Sequence, residues 1–255
     1  MNVPVRLRQV VLITRDLPGT TARLESELGL APGFEDEGVG YFGLENRVLA
    51  AGDCFVEVLT PLTEDSAGHR YLERRGTDGG YMAIFQFADR IAPRRRATAL
   101  GIRIVWQADL DDVSGTHLDP REVPGAIVSL DWADPPNSWH WAGPAWRGEE
   151  AARSAAVRPG GVTSLEVAVA DPPAAAATWA EVLGPDVTLD GTAVLLPDAG
   201  QVISFVASPD RGHEGIVGCG LGLTPIEGLH ETISTEIAGV RFAVAPHVTA
   251  ATTKE

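Results

Sequence analysis

Cysteine is almost missing from this chain, with Cys54 and Cys219 the only two. That is too few for a disulfide framework, and no C-x-x-C zinc pattern can form. Both sit in apolar or glycine-rich runs, where a thiol is expected to be buried and inert. Long apolar runs are missing too. No segment approaches the roughly 18 apolar residues that a membrane-spanning helix needs. The opening "MNVPVRLRQVVLIT" is too short in its apolar part for a signal peptide, so a cytoplasmic protein is expected. Positive charge is scarce: 20 basic residues stand against 35 acidic ones, a net charge of -15 and a pI near 4.7. Such a chain repels phosphate backbones and anionic membranes, so neither nucleic acid nor a membrane is an expected partner. The sequence also has no phosphate-cradling glycine loop and no serine nucleophile elbow. "GCGLG" at 218–222 precedes no helix and reads as a tight-packing or bulge site.

What the chain does contain is a repeat. Hydrophobic residues make up 44% of its 255 residues, enough to bury a sizeable core in one large domain or two ordinary ones. "RQVVLITRD" (8–16), "YMAIFQFAD" (81–89) and "TSLEVAVAD" (163–171) are each an apolar strand ending in an Asp placed to cap a following helix. The first and third continue as "LPGTTARLESELGL" and "PPAAAATWAEVLG", helical runs that stop on glycine. The second continues through "RIAPRRRATALG" to Gly101. "FVEVLTP", "VSLDWADP" and "ISFVASP" close the three units. Aligned on their prolines, they place Glu57, Asp131 and Phe205 at equivalent positions, 74 residues apart. First-strand equivalents, counted back from each Asp, are Gln9, Met82 and Ser164. Further short strands such as "RVLAAG" and "IRIVWQ" lie between, so each unit reads β-α-β-β-β. A fourth, from "GIVGCGLGLTP" to "GVRFAVAP", lacks its helix.

Regular self-similarity of this kind denotes a duplicated structural unit. The expected fold class is α+β, with four βαβββ units, the last degenerate, paired into two curved mixed sheets around a cleft. The expected boundaries are 1–135 for the first pair, 136–160 for a Pro-, Gly- and Trp-rich connector, and 161–255 for the second pair. Strand alternation puts Phe55, Glu57 and Leu59 on one face, Ile127, Ser129 and Asp131 on another, and Gln9 with Val11 and Ile13. Carboxylates so placed need a partner, a metal, or a proton held by a raised pKa. A bland reading stands beside each: Glu57 at an edge facing water, Asp131 already leaving its strand, Gln9 a satisfied polar residue.

The paired β-α-β-β-β units resemble the vicinal oxygen chelate superfamily, which includes glyoxalases, extradiol dioxygenases and bleomycin-resistance proteins. The resemblance is carried by Arg8 to Gly29 with "CFVEVLTP", and by "GGYMAIFQFAD" with "GTHLDPREVPGAIVSLDWADP". It implies a cleft whose first-strand and last-strand positions hold a divalent metal, here Gln9, Glu57 and Asp131. Met82 stands where the family has a further ligand, and a thioether suits such metals poorly. Ser164, Phe205 and Phe242 supply no ligands, which disfavours the dioxygenases and leaves the second half as scaffold, lid or pairing surface, compatible with a homodimer. What the resemblance implies is a small-molecule enzyme doing acid–base or metal-assisted isomerase, lyase or cyclase chemistry on a carbonyl compound. The alternative is a metal-free protein that binds or sequesters a ligand.

The expected catalytic residues are Glu57, His117 and Asp131. His117 precedes the last strand of unit two, where an imidazole can act as acid, base or replacement ligand, or simply pack. His69, His213, His230 and His247 lie in polar or terminal stretches and read as solvated, while His140 packs in the connector. Arg103, Arg121 and Trp106 are candidates for charge or stacking on a substrate, and Arg94 to Arg96 read as a solvated helix face.

Overall fold

The structure, a computed structural model, describes residues 4–143, 146, 159–223 and 232–246. Two seven-stranded mixed sheets are built on one plan. In the first, β1 (Val5–Ile13) leads through α1 (Leu17–Leu28) to β2 (Leu44–Ala51) and β3 (Cys54–Pro61). After α2 (Ala67–Arg75), β4 (Gly79–Phe87) leads through α3 (Ala92–Ala99) to β5 (Ile104–Asp109), β6 (Val113–Leu118) and β7 (Ile127–Ala133). Their order across the sheet is β2-β3-β1-β4-β7-β6-β5. The pairs β1/β3 and β4/β7 are parallel, and β1 meets β4 antiparallel at the seam.

The second sheet repeats this with β8 (Pro159–Val169), α4 (Pro172–Leu183), β9 (Thr188–Asp190), β10 (Ala193–Leu196) and β11 (Gln201–Ala207), then β12 (Gly215–Leu223), β13 (Ile233–Ile237) and β14 (Val240–Pro246). The paired-module α+β fold read from the repeat is therefore the fold of the chain. Unit one departs from the full pattern: the first of its three closing strands is reduced to one bridge, Phe34 to Val48. "GCGLG" lies in β12, where its register against β8 shifts after Gly220 and again after Gly222, as a bulge reading requires.

Two of the three caps fall where the Asp–helix pattern put them; α3 starts after Ile91, and Asp89 instead accepts from the Ile91 and Ala92 amides at its start. The Asp16 side chain accepts from the Gly19 amide at 3.0 Å, and Asp171 does the same from Ala174 at 3.1 Å. Helix α1 ends on Gly29 in the left-handed conformation, φ 66°. It buries Leu17, Thr20, Leu24 and Leu28, and packs against both β3 and β13. On α4, Trp179 is fully buried between Phe85 of the first sheet and Phe205 of the second, with ring centroids 5.9 and 5.2 Å away. One apolar core therefore runs through both halves on the helix side of the sheets. A second, smaller cluster lies on the other face of the first sheet. Among the described residues no helix is long and apolar enough to cross a membrane.

Strand register corrects two equivalences expected from sequence. Glu57 pairs with Val11, two residues past Gln9, whereas Asp131 pairs with Gln86, two past Ile84. Across the seam Gln9 pairs with Ile84, so Ile84 and not Met82 is the counterpart of Gln9. Irregularities after Leu7 and Val11 displace the count. In unit three, Phe205 packs on Trp179 in the helix-side core, away from the face that carries Glu57 and Asp131. Its true offset from the closing proline differs by one residue, and a one-residue slip exchanges the faces of a strand.

Candidate active site

The concave face of the first sheet encloses a cavity of about 460 Å³. Gln9, Glu57, His117 and Asp131 all line it, so the structure brings together the four residues expected as catalytic or metal-ligating. The remaining wall is largely apolar and aromatic, with Phe42, Leu59, Tyr81, Met82, Ile84 and Trp106 among its members. Glu57 is 6% exposed, Asp131 3% and Gln9 1%, which overturns the water-facing and strand-leaving alternatives.

Glu57 is held by two amides. Gln9 Nε2 donates to Oε2 at 2.7 Å and Asn46 Nδ2 to Oε1 at 2.6 Å. Neither amide is free to turn over. Gln9 Oε1 accepts from the Trp139 indole N–H at 2.6 Å, and Asn46 Oδ1 accepts from the Asp36 backbone N–H at 2.9 Å. Both amides thus present N–H to the carboxyl, which favours its anion, while burial favours the neutral acid. Burial prevails and pushes Glu57 up to about 7. Asp131 is built differently but reaches the same range. It accepts from the Ser129 hydroxyl and from the Trp141 indole N–H at 2.8 Å, and burial raises it to about 7.

His117 stands opposite Ser129 in the β6/β7 pairing. Its ring lies 4.3 Å from that of Trp106 and 6.0 Å from that of Phe42. Among the described residues no group hydrogen-bonds to the imidazole. Burial pushes its pKa down to about 3, which leaves it neutral at pH 7 and a poor proton acceptor. The acid–base role expected for His117 therefore has no support in its surroundings.

Sequence reasoning missed Asn46 and understated the connector. Asn46 shares a face of β2 with Val48, and a lone amide at a strand position of that parity was its one available signal. The Pro-, Gly- and Trp-rich connector does more than link the halves: Trp139 and Trp141 reach back to Gln9 and Asp131, and Trp146 packs edge-on against Phe55 at 4.9 Å. His140 also lines the cavity, with Nδ1 3.2 Å from Asp112. Arg103 and Arg121 do not face the cavity. Both clamp Asp119, Arg121 through Nη2 at 2.9 Å. In the Arg94–Arg96 run only Arg95 is solvated: Arg94 Nε donates to Thr116 at 2.6 Å and Arg96 Nη1 to the Leu183 carbonyl at 2.9 Å. Trp106 lines the cavity rather than the core. Cys54 and Cys219 are buried, and burial raises both thiols, Cys54 to about 12. His213 pairs with Asp210 at 2.8 Å on the surface. His230 and His247 lie outside the described residues.

Comparison with known proteins adds one finding. A hypothetical protein from Staphylococcus aureus superposes with a TM-score of 0.68 at 8% identity, covering 95% of this chain and 100% of that one. The likeness is one of fold. Methylmalonyl-CoA epimerases match only half of the chain. The Streptomyces coelicolor enzyme, in complex with 2-nitronate-propionyl-CoA, gives 20% identity, 50% coverage here, 96% there and a TM-score of 0.46. The Mycobacterium tuberculosis enzyme gives 21%, 50%, 87% and 0.45. No family model matches the chain, and no curated protein does.

The metal expected at Gln9, Glu57 and Asp131 does not fit the arrangement found. Among the described residues no three His, Cys, Asp or Glu side chains converge as a metal-binding group. Both Glu57 oxygens, both Asp131 oxygens and Gln9 Oε1 already accept hydrogen bonds. A divalent ion there would have to displace indole and amide donors that are themselves fixed.

Proposed function

We propose that this protein is an enzyme that moves a proton beside the carbonyl of a small, largely apolar substrate, with Glu57 and Asp131 as the two proton carriers. The observation that carries this reading is the pair of buried carboxyls in one apolar cavity, each with a pKa of about 7. A carboxyl tuned to the working pH is present in both protonation states, which is what general acid–base catalysis requires. The carriers belong to different units and flank the β1/β4 seam. One can take a proton from carbon while the other gives one to a neighbouring atom, the basis of an isomerisation, epimerisation or lyase step. Neutral His117, whose ring nitrogens have no partner among the described residues, is suited to orient the substrate by a hydrogen bond.

The test is solvent exchange. In deuterated buffer, the carbon-bound protons next to the carbonyl in a panel of ketones, 3-oxo acids and thioesters are followed by NMR. At least one compound should exchange, and Glu57→Gln or Asp131→Asn should each slow it roughly a hundredfold or more. A full panel without exchange, or a Glu57→Gln variant as fast as wild type, would refute the proposal. The second reading, a protein that binds a ligand without turnover, draws on the apolar lining. It predicts tight binding with no exchange and an affinity that survives Glu57→Gln.

A further inference from the structure

A second cavity, of about 300 Å³, opens beside the first and shares Ala67, Tyr81 and Ile127 with its wall. Helix α2 contributes three arginines to it: Arg70, Arg74 and Arg75. Most arginines outside this cleft are ion-paired, as in Arg15 with Glu73, Arg47 with Glu35, Arg94 with Asp109 and Arg241 with Glu166. Among the described residues, none of the three on α2 has an ion pair. Their partners are neutral. Arg70 donates to the Asp65 carbonyl, Arg75 Nη1 to the Glu214 carbonyl at 2.6 Å, and the Arg74 guanidinium lies over the Tyr71 ring at 5.6 Å. Among the described residues Glu214 is the single carboxylate lining this cleft, so three positive charges face one negative there. Arg75 Nε is moreover buried with no acceptor among the described residues. A guanidinium N–H in that position is costly to leave unsatisfied.

We propose that this arginine cleft seats the anionic end of an elongated substrate, a carboxylate or a phosphate. The substrate's apolar body passes the shared wall at Ala67, Tyr81 and Ile127 into the larger cavity, toward Glu57 and Asp131. The chemistry at the inner end rests on the function proposed above; the seating of the charge does not. The cleft would select among carbonyl compounds by requiring a charged terminus at a fixed distance from the reacting carbon.

Calorimetric titration of the full chain with decanoate, decyl phosphate and decanamide tests this. Wild type should bind at least one anionic probe roughly tenfold or more tighter than the amide, as one or two charge-assisted contacts imply. Added salt should narrow that gap. Arg70 and Arg74 are both exposed, so the double variant Arg70→Gln, Arg74→Gln should keep the fold. It should bring the three affinities within about twofold while leaving that of decanamide unchanged. Whichever anion binds tighter identifies the headgroup. Equal affinities in wild type, a gap that persists in the double variant, or no binding of any probe overturns the proposal. Glu57→Gln separates the two readings: anion discrimination that survives while carbon exchange runs at the wild-type rate refutes the acid–base role and leaves the anion cleft standing.

Discussion

The amide clamp on Glu57 makes a prediction whose size follows from the hydrogen bonds. Asn46→Leu removes the donor at Glu57 Oε1 and fills its space with an apolar side chain, so water cannot take its place. A hydrogen bond to a charged group contributes roughly 1.5–3 kcal/mol. Each pKa unit corresponds to about 1.4 kcal/mol. Losing a bond that favours the anion should therefore raise the Glu57 pKa by about one to two units from its value of about 7. Carbon NMR titration of side-chain carboxyls measures this directly, and the pH profile of carbon exchange should move in the same direction. Asp131, held by Ser129 and Trp141 in the other unit, should titrate as before and serves as the internal control. If Glu57 titrates at or below its wild-type value in Asn46→Leu, the clamp is not what holds it near neutrality, and the reasoning fails.

Stability should report the same group. Burial raises Glu57 from 4.5 to about 7, so its contribution is fully present below about pH 4.5 and is lost as pH rises through 7. Between pH 4.5 and 8, wild type should lose about 3 kcal/mol relative to Glu57→Gln in urea titrations; parallel curves would contradict this. Trp179→Ala should cost about 3–5 kcal/mol, because a fully buried indole leaves a cavity between the two sheets. Since one core joins the halves, unfolding should remain a single transition by fluorescence and circular dichroism. Separate transitions would refute a shared core.

How far the sequence discloses these features depends on the geometry behind each. The closing strands of units one and two sit in the same sense against their first strands, so 74-residue spacing carried Glu57 and Asp131 into one cavity correctly. Parity alternation then gave the right face, because side chains in a strand have a period of two. The same count failed wherever register depends on something other than length. The irregularities in β1 moved the counterpart of Gln9 from Met82 to Ile84. An offset of one against the proline turned Phe205 to the helix side. His117 was located correctly, yet its protonation depends on enclosure by Trp106 and Phe42, which no local pattern announces. Trp139 and Trp141 could be read as packing residues, but their indole donors find targets 130 and 10 residues away only once the chain turns back.

Those two tryptophans bear on how such proteins can be taken apart. A duplicated fold invites the idea that either half is a portable module, to be excised, fused or recombined at the junction. Here the junction carries indole donors of the candidate site. A polypeptide ending at residue 135 would retain Gln9, Glu57 and Asp131 but lose an indole donor from each end of the site. Gln9 would then be free to turn its carbonyl toward Glu57, and Asp131 would keep only Ser129 and the Thr116 backbone. The pair would still be present, but no longer tuned together. Recombining halves of such proteins should transplant the acidity of the site only when the stretch through Trp141 travels with the first half.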